Sequence, residues 1–533
     1  MFRKIFLLSC LLLAMMATGC GGGNEPAANN SAPEVDVTGG KIKGTVDANG
    51  VKIFKGIPYA ATTAGENRWK APQPVQSWEG VLDCTQDGPI VIQGDPQPFD
   101  PWTAEYVDGG YTIENGKISE DSLRLNVWTK ADANAKQPVI VYIHGGANVS
   151  GSGNNEVYKG DNIALKDVVY VSINYRVGIF GFLAYKDSTG EEVTGNFAIQ
   201  DQIAALKWVK ENISKFGGDP DNVTIMGQSA GSTNVQNLIC SPAAAGLFNK
   251  AVFLSYNNST SEGVLLKTTD TLENMESTAT EKLDGKTLAE LRQMDAAEIL
   301  KLGYMPNSAT IDGTFVTMST KDSFNSGNFN KVDIICGGVF GDPYLFDAFL
   351  NLGNFMEPKI SLTADEYEEL LRDANAENLL ELYPAGENAL DAAKSVNNDK
   401  TISSYYTVAQ EKNSNDADHR SYVYFFRHPV PDTPERMEKY GAFHTGDVGY
   451  WLNNFTKLYP RNWTDTDKKI GDEMSSYLVN FAKTGDPNGG DLPEWKDVAS
   501  TSEISYLDIG DEIKFVEMNP DKADFWTNYW QTK

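Results

Sequence analysis

Histidine is scarce in this chain: His144, His419, His428 and His444 are the four in 533 residues. Any chemistry that needs an imidazole must draw on one of them. Cysteine is nearly as rare, with five residues, and neither a C-x-x-C pair nor a cluster of histidines has the spacing of a metal site, so no cofactor or metal is expected. Positive charge is also short. Lys and Arg number 45 against 73 Asp and Glu, a net charge of -28, which repels nucleic acid and bare anionic membrane surfaces. The acidic excess is spread along the chain and reads as a solvated surface. There is no internal repeat, and beyond the N-terminus no apolar run is long enough to span a bilayer.

The N-terminus carries a short signal. Arg3 and Lys4 precede the apolar run Ile5 to Ala17, and Ala17-Thr18-Gly19 places small residues before Cys20. This is the pattern of an exported leader over residues 1–19. Cys20 with Gly21-Gly22-Gly23 behind it resembles a bacterial lipoprotein box. The resemblance implies lipidation of Cys20 and a flexible tether over residues 20–40, with the remainder exported and anchored to the cell envelope, on the periplasmic face or the cell surface. Cys10 falls in the leader, leaving Cys84, Cys240 and Cys336, an odd number that cannot all pair. Stability must come from the core, and a chain of this size can bury about three quarters of its unfolded surface.

The richest segment is Asn222-Val223-Thr224-Ile225-Met226-Gly227-Gln228-Ser229-Ala230-Gly231. A short apolar run predicts a buried strand, and Val235, Leu238 and Ile239 follow at helical spacing. Ser229 therefore stands in a G-x-S-x-G turn between strand and helix, the pattern of a nucleophile elbow. Gly227 and Gly231 avoid side chains that would crowd the turn. A serine nucleophile needs a base. His419 follows a polar run and reads as a solvated connection, while His428 ends the alternating run Tyr422 to Phe426 and reads as a strand terminus. His144 closes the predicted strand Val139 to Ile143 and opens His144-Gly145-Gly146-Ala147, where two glycines free backbone amides to turn inward. His444, flanked by small residues in Gly441-Ala442-Phe443-His444-Thr445-Gly446-Asp447, remains as the base.

Strand and helix signals alternate through Val139 to Leu254, whereas Thr271 to Leu302 and Thr363 to Leu382 read as helical segments inserted over the sheet. Nucleophile, acid, then histidine is the chain order of an α/β-hydrolase. Further landmarks stand in order: Phe54-Lys55-Gly56-Ile57-Pro58-Tyr59-Ala60, Arg68-Trp69, Trp78-Glu79-Gly80, Glu120-Asp121-Ser122-Leu123-Arg124-Leu125-Asn126-Val127, Asn174-Tyr175-Arg176-Val177-Gly178, Phe216-Gly217-Gly218-Asp219-Pro220 and Phe481-Ala482-Lys483-Thr484-Gly485-Asp486-Pro487-Asn488. On these motifs the chain resembles the type-B carboxylesterase and cholinesterase family from about Gly44 to the C-terminus. The resemblance implies an α/β-hydrolase fold, a central, mostly parallel twisted sheet flanked by helices, forming one catalytic domain over residues 41–533. A non-catalytic adhesion or binding protein on the same scaffold is the alternative.

The family's acid motif falls without a gap on Gly341-Asp342-Pro343-Tyr344-Leu345-Phe346, just past the predicted strand Val332 to Cys336. Asp342 takes the place usually held by Glu, and Asp447, three residues after His444, is the competing carboxylate. The implied reaction is acyl transfer from a small-molecule ester. Ser229 attacks, His444 takes the proton, Asp342 orients the imidazole, and the amides of Gly146, Ala147 and Ala230 hold the oxyanion. Two residues depart from the family pattern. Gln228 replaces the more frequent Glu beside the nucleophile, which disfavours cationic, choline-like leaving groups. Asn148 stands where an aromatic residue is common. Arg68 with Glu120 and Arg176 with Asp201 resemble the family's buried ion pairs, and Trp102, Tyr450 and Trp451 are either lining of a substrate gorge or plain core. The family's frequent N-terminal disulfide is absent, Ser122 occupying one partner's place.

Overall fold

The computed structural model describes residues 32–94, 116–260, 269–344, 348–354, 357–455 and 461–532. The leader, Cys20 and Trp102 lie outside them. An eleven-stranded sheet is built from β1 Thr45–Val46, β2 Lys52–Pro58, β3 Arg124–Thr129, β4 Gln137–Ile143, β5 Val169–Ile173, β6 Gly218–Gln228, β7 Lys250–Leu254, β8 Asp333–Val339, β9 Ser421–Phe426, β10 Ser505–Ile509 and β11 Ile513–Glu517. Their spatial order is β11-β10-β9-β8-β7-β6-β4-β5-β3-β2-β1. The run from β10 to β5 is parallel throughout, and both flanks close with antiparallel pairs.

The central strands are apolar at nearly every position because both faces are covered, as a parallel sheet requires. Alternate side chains feed two cores. Val139, Val141, Ile143, Val223, Ile225, Ala251 and Phe253 join the core under α1 Phe197–Asn212, α2 Ala230–Cys240 and α3 Ala389–Ser414. Ile140, Tyr142, Met226, Val252 and Leu254 join the opposite core, with Met474, Leu478 and Phe481 of α4 Asp465–Thr484. A smaller cluster packs Leu283, Leu288, Leu291 and Ile299 of the inserted helices against Trp69, Ile179 and Phe180.

The predicted insertions resolve into short helices, Leu272–Lys282, Leu288–Gln293 and Ala296–Leu300 in the first, Ala364–Asp373 and Leu379–Leu382 in the second. The third free cysteine, Cys336, lies in β8, which runs three residues beyond the predicted strand; Cys84, Cys240 and Cys336 are all buried and unbridged. The expected tether is corrected at its C-terminal end. Glu34–Val37 is a strand paired antiparallel with Gly40–Lys43, Val37 is buried, and the Thr38 amide donates to Asn212 Oδ1 at 2.9 Å. Backbone pairing and the packing of Val37 thus draw residues 34–40 onto the fold, although their composition is that of a linker.

Candidate active site

The C-terminal ends of β4, β6, β7, β8 and β9 form one edge of the sheet, where α/β folds place their ligands. Pairing aligns Gly227 with Ile143 and Phe253, and Val339 with Phe426. Ser229 follows β6 directly at φ 58 and ψ -124, and its amide donates to Leu254 O at 2.9 Å. It is the residue between β6 and α2. The turn is closed by two glycines without room for a side chain: a Cβ on Gly231 meets Ile143 O at 2.1 Å, and one on Gly227 meets Gly231 O at 2.4 Å.

Asp342 stands three residues past the end of β8. Its Oδ2 accepts the Val339 amide at 2.9 Å, and its Oδ1 lies 2.8 Å from His444 Nδ1. Both side chains are almost wholly buried. The loops carrying them are joined by Gly341 N donating to Ala442 O at 2.8 Å. On the other side of the ring, Gln228 Nε2 lies 3.1 Å from His444 Nε2. An amide nitrogen only donates, so that ring nitrogen accepts and Nδ1 carries the proton toward Asp342.

Asp447 faces elsewhere. Its Oδ2 accepts the Tyr424 hydroxyl at 2.6 Å, and its Oδ1 has no partner among the described residues. Burial, with the charge of Asp342 adding to it, pushes the Asp447 carboxyl up to about 6, against the opposing effects of the Tyr424 hydrogen bond and His444.

The segment after β4 makes an unusual turn. Gly146, Ala147 and Asn148 have φ of 109, 53 and 60, so two consecutive non-glycine residues are left-handed, at a cost of about 1–2 kcal/mol each. Asparagine tolerates that region better than most residues. Val149 N and Ser150 N both donate to Gly146 O. No backbone acceptor among the described residues takes the amides of Gly146 or Ala147. Ala147 packs on Ala230 and Tyr256 beside the elbow. His144 is fully buried, stacked on Tyr175 with ring centroids 4.3 Å apart, and burial pushes its imidazole down to about 4. It is a neutral framework residue.

The other histidines lie outside this group. His428 Nε2 and Nδ1 are 2.9 and 2.7 Å from Asp467 and Asp511, and His419 Nδ1 is 2.8 Å from Asp416. Tyr450 and Trp451 are core residues: the Tyr450 hydroxyl donates to Asp467 at 2.6 Å, and Trp451 packs edge-on against Tyr424. Arg68 pairs with the partly buried Glu120 at 2.6 Å, and Arg176 with Asp201 at 2.7 Å, the second pair buried on both sides. Arg68 also donates to Leu291 O and Met294 O, fastening the inserted helices to the loop before β3. Among the described residues no group of His, Cys, Asp and Glu could hold a metal ion. Two features have no signal in the sequence: the Tyr424 contact with Asp447, and the buried chain linking Asn148, Asn234 and Tyr175.

A serine on a strained strand-to-helix turn, an imidazole and a buried carboxylate at one sheet edge define a serine hydrolase of the α/β-hydrolase fold. The profile of the Carboxylesterase family matches residues 31–526. The chain is 32% identical over 468 residues to the para-nitrobenzyl esterase of Bacillus subtilis (strain 168), covering 84% of this chain and 89% of that protein. It is 30% identical over 550 residues to carboxylesterase 3 of Homo sapiens, covering 94% and 90%. A solved structure of PNB esterase superposes with a TM-score of 0.72 at 28% identity, over 93% of this chain and 99% of that one. The chain belongs to the carboxylesterase family and is a serine carboxylesterase.

Proposed function

We propose that Ser229, His444 and Asp342 form the catalytic triad, with Gly146, Ala147 and Ala230 as the oxyanion hole. The observation that carries this reading is the 2.8 Å contact between His444 Nδ1 and Asp342 Oδ1 at the sheet edge where Ser229 stands. Ser229 Oγ attacks the ester carbonyl, its proton passes to His444 Nε2, and Asp342 stabilises the imidazolium. The carbonyl oxygen becomes an oxyanion held by the three amides, that of Ala230 at the positive end of α2. Collapse expels the alcohol with the proton from His444, and water repeats the sequence on the acyl-enzyme. The amide of Gln228, neutral where the family more frequently has Glu, lies 3.1 Å from Nε2 and must release that nitrogen before it takes the Ser229 proton; it offers a cation no negative charge, which supports neutral over cationic leaving groups. Nothing in this arrangement favours a purely adhesive role.

Ser229→Ala should fold normally while hydrolysis of p-nitrophenyl esters falls by about three to six orders of magnitude. An organophosphonate adduct on wild type should map to Ser229 by mass spectrometry. Full activity in the variant rejects the mechanism.

The same reading places the enzyme at the cell envelope on a lipid attached to Cys20, supported by the leader and the small residues before that cysteine. Cys20→Ser should abolish incorporation of labelled palmitate and release the protein from the membrane fraction; unchanged labelling removes the anchor.

A further inference from the structure

Asn234 lies one helical turn past Ala230 on α2, so the two share a helix face. It is fully buried. Its Nδ2 donates to Asn148 Oδ1 at 2.9 Å and to Tyr175 Oη at 3.2 Å. Tyr175 Oη in turn donates to His144 O at 2.6 Å. One amide group therefore reaches both ends of the segment His144 to Asn148, from the helix that carries Ala230.

The direction of these bonds follows from the partners. The Tyr175 proton is spent on His144 O, and the Asn148 Nδ2 is spent on Asn307 O at 2.8 Å, so both atoms facing Asn234 are acceptors. Asn234 must present its NH2, which leaves its Oδ1 buried with no partner among the described residues. An unpartnered buried oxygen opposes folding. A side chain kept at that cost, beside a turn whose left-handed residues persist only when the surroundings over-determine them, points to geometry rather than stability.

We propose that Asn234 is a positioning residue for the oxyanion hole: it ties the Gly146-Ala147 amides to the Ala230 amide so that all three address one point. The proposal rests on the reading of those amides given above. Donors must lie about 2.7–3.1 Å from the developing oxyanion, so a small rotation of the turn weakens the transition state while leaving ester binding alone. The pairing belongs to this chain, since Asn148 occupies a position where the family commonly has an aromatic residue.

The test is Asn234→Ser, which is too short to reach Asn148. Two inhibitors with one acyl chain are compared. A trifluoromethyl ketone takes Ser229 Oγ at its carbonyl carbon, passes the hydroxyl proton to His444 and places a hemiketal oxyanion in the hole. The matching secondary alcohol has no electrophilic carbon. With folding verified by circular dichroism, kcat should fall about ten- to a hundredfold with KM within about twofold. Trifluoromethyl ketone affinity should fall by a similar factor and alcohol affinity should hold. Tyr175→Phe, which keeps the stack on His144, should give a smaller kcat loss and add little in the Asn234→Ser background, because both act through one hydrogen-bonded chain. Unchanged kcat in folded Asn234→Ser, a loss carried by KM and the alcohol, or fully multiplicative losses would overturn the proposal. If Asn234→Ser does not fold, a kcat-only loss in Tyr175→Phe supports the proposal and an unchanged kcat overturns it. Wild type that binds the ketone no better than the alcohol refutes the oxyanion hole itself; a wild type that binds it tightly and a variant that binds it equally refute only the role of Asn234.

Discussion

Two aspartates compete for the imidazole, and their surroundings separate them. Asp342 has its oxygens engaged by His444 and the Val339 amide, whereas Asp447 is held by Tyr424. Asp342→Asn should lower kcat by about 10⁴ with little change in KM, because an amide no longer fixes the tautomer of His444. Asp447→Asn should cost only about ten- to a hundredfold. Steady-state kinetics of both variants decide, and the reverse ranking removes Asp342 from the triad. The same Asp447 variant has a second readout. A carboxyl raised from 3.8 to about 6 favours the protonated fold, so its stabilising contribution is complete below pH 3.8 and is lost as pH rises through about 6. Above that pH the buried charge costs on the order of 3 kcal/mol. Asp447→Asn should thus be more stable than wild type at pH 8 and nearly equal to it at pH 4, measured by urea unfolding. The sequence placed Ser229, His444 and both aspartates near the chemistry through chain order and local motif. Which carboxylate meets the ring was settled by the loop contact between Gly341 and Ala442, about a hundred residues apart in the chain.

The elbow is the element on which the site depends, and its tolerance is set by backbone approach. Gly231→Ala drives a methyl group toward Ile143 O, a backbone atom of β4 that cannot swing aside, and overpacking of this kind typically costs about 1–3 kcal/mol or more. The variant should lose both urea stability and kcat, since relief requires β4 or α2 to move. Gly94→Ala, where a Cβ meets none of the described residues within 4 Å, should change neither. A Gly231→Ala enzyme with wild-type kcat would show that the elbow yields more easily than this contact implies. The strands β4, β6 and β9 were legible because short, predominantly apolar runs of strand length carry their own signal. The 26-residue α3 was not. It buries Asn397, Asn398, Lys400, Ser403, Ser404 and Lys412 alongside Val396, Ile402 and Val408, so its buried face has no apolar period. Partners distant in sequence satisfy it, among them Leu350, whose amide and carbonyl both bond the side chain of Asn397.

Across the whole molecule, a polar knot beyond β9 joins three distant segments. His428 bridges Asp467 at the start of α4 and the exposed Asp511, and Asp467 also accepts Tyr450 Oη and caps Thr464. Burial opposes charge on both members of the central pair. The hydrogen bonds with Asp467 and Asp511 nevertheless raise His428, and those from His428, Thr464 and Tyr450 lower Asp467 to about 2. The His428 contribution is complete below pH 6.5 and is lost as pH rises through its raised value; the Asp467 contribution is complete above pH 3.8 and is lost as pH falls toward about 2. His428→Gln should therefore lower Tm most near pH 5 to 6, with the difference shrinking in alkali, measured by thermal melts across pH. A pH-independent difference would show that packing, not charge, is what His428 supplies. By itself the sequence determined the fold class, the elbow and the family, because these rest on local period, turn chemistry and ordered motifs carried by neighbouring residues. Only the tertiary structure decided that Asp342 faces His444, that Gln228 covers its far nitrogen, that Tyr450 and Trp451 are core, and that the Asn234 side chain bonds those of Asn148 and Tyr175, which follow two different strands. Those contacts form between side chains tens to hundreds of residues apart, and direction and distance, not residue type, set what each one does.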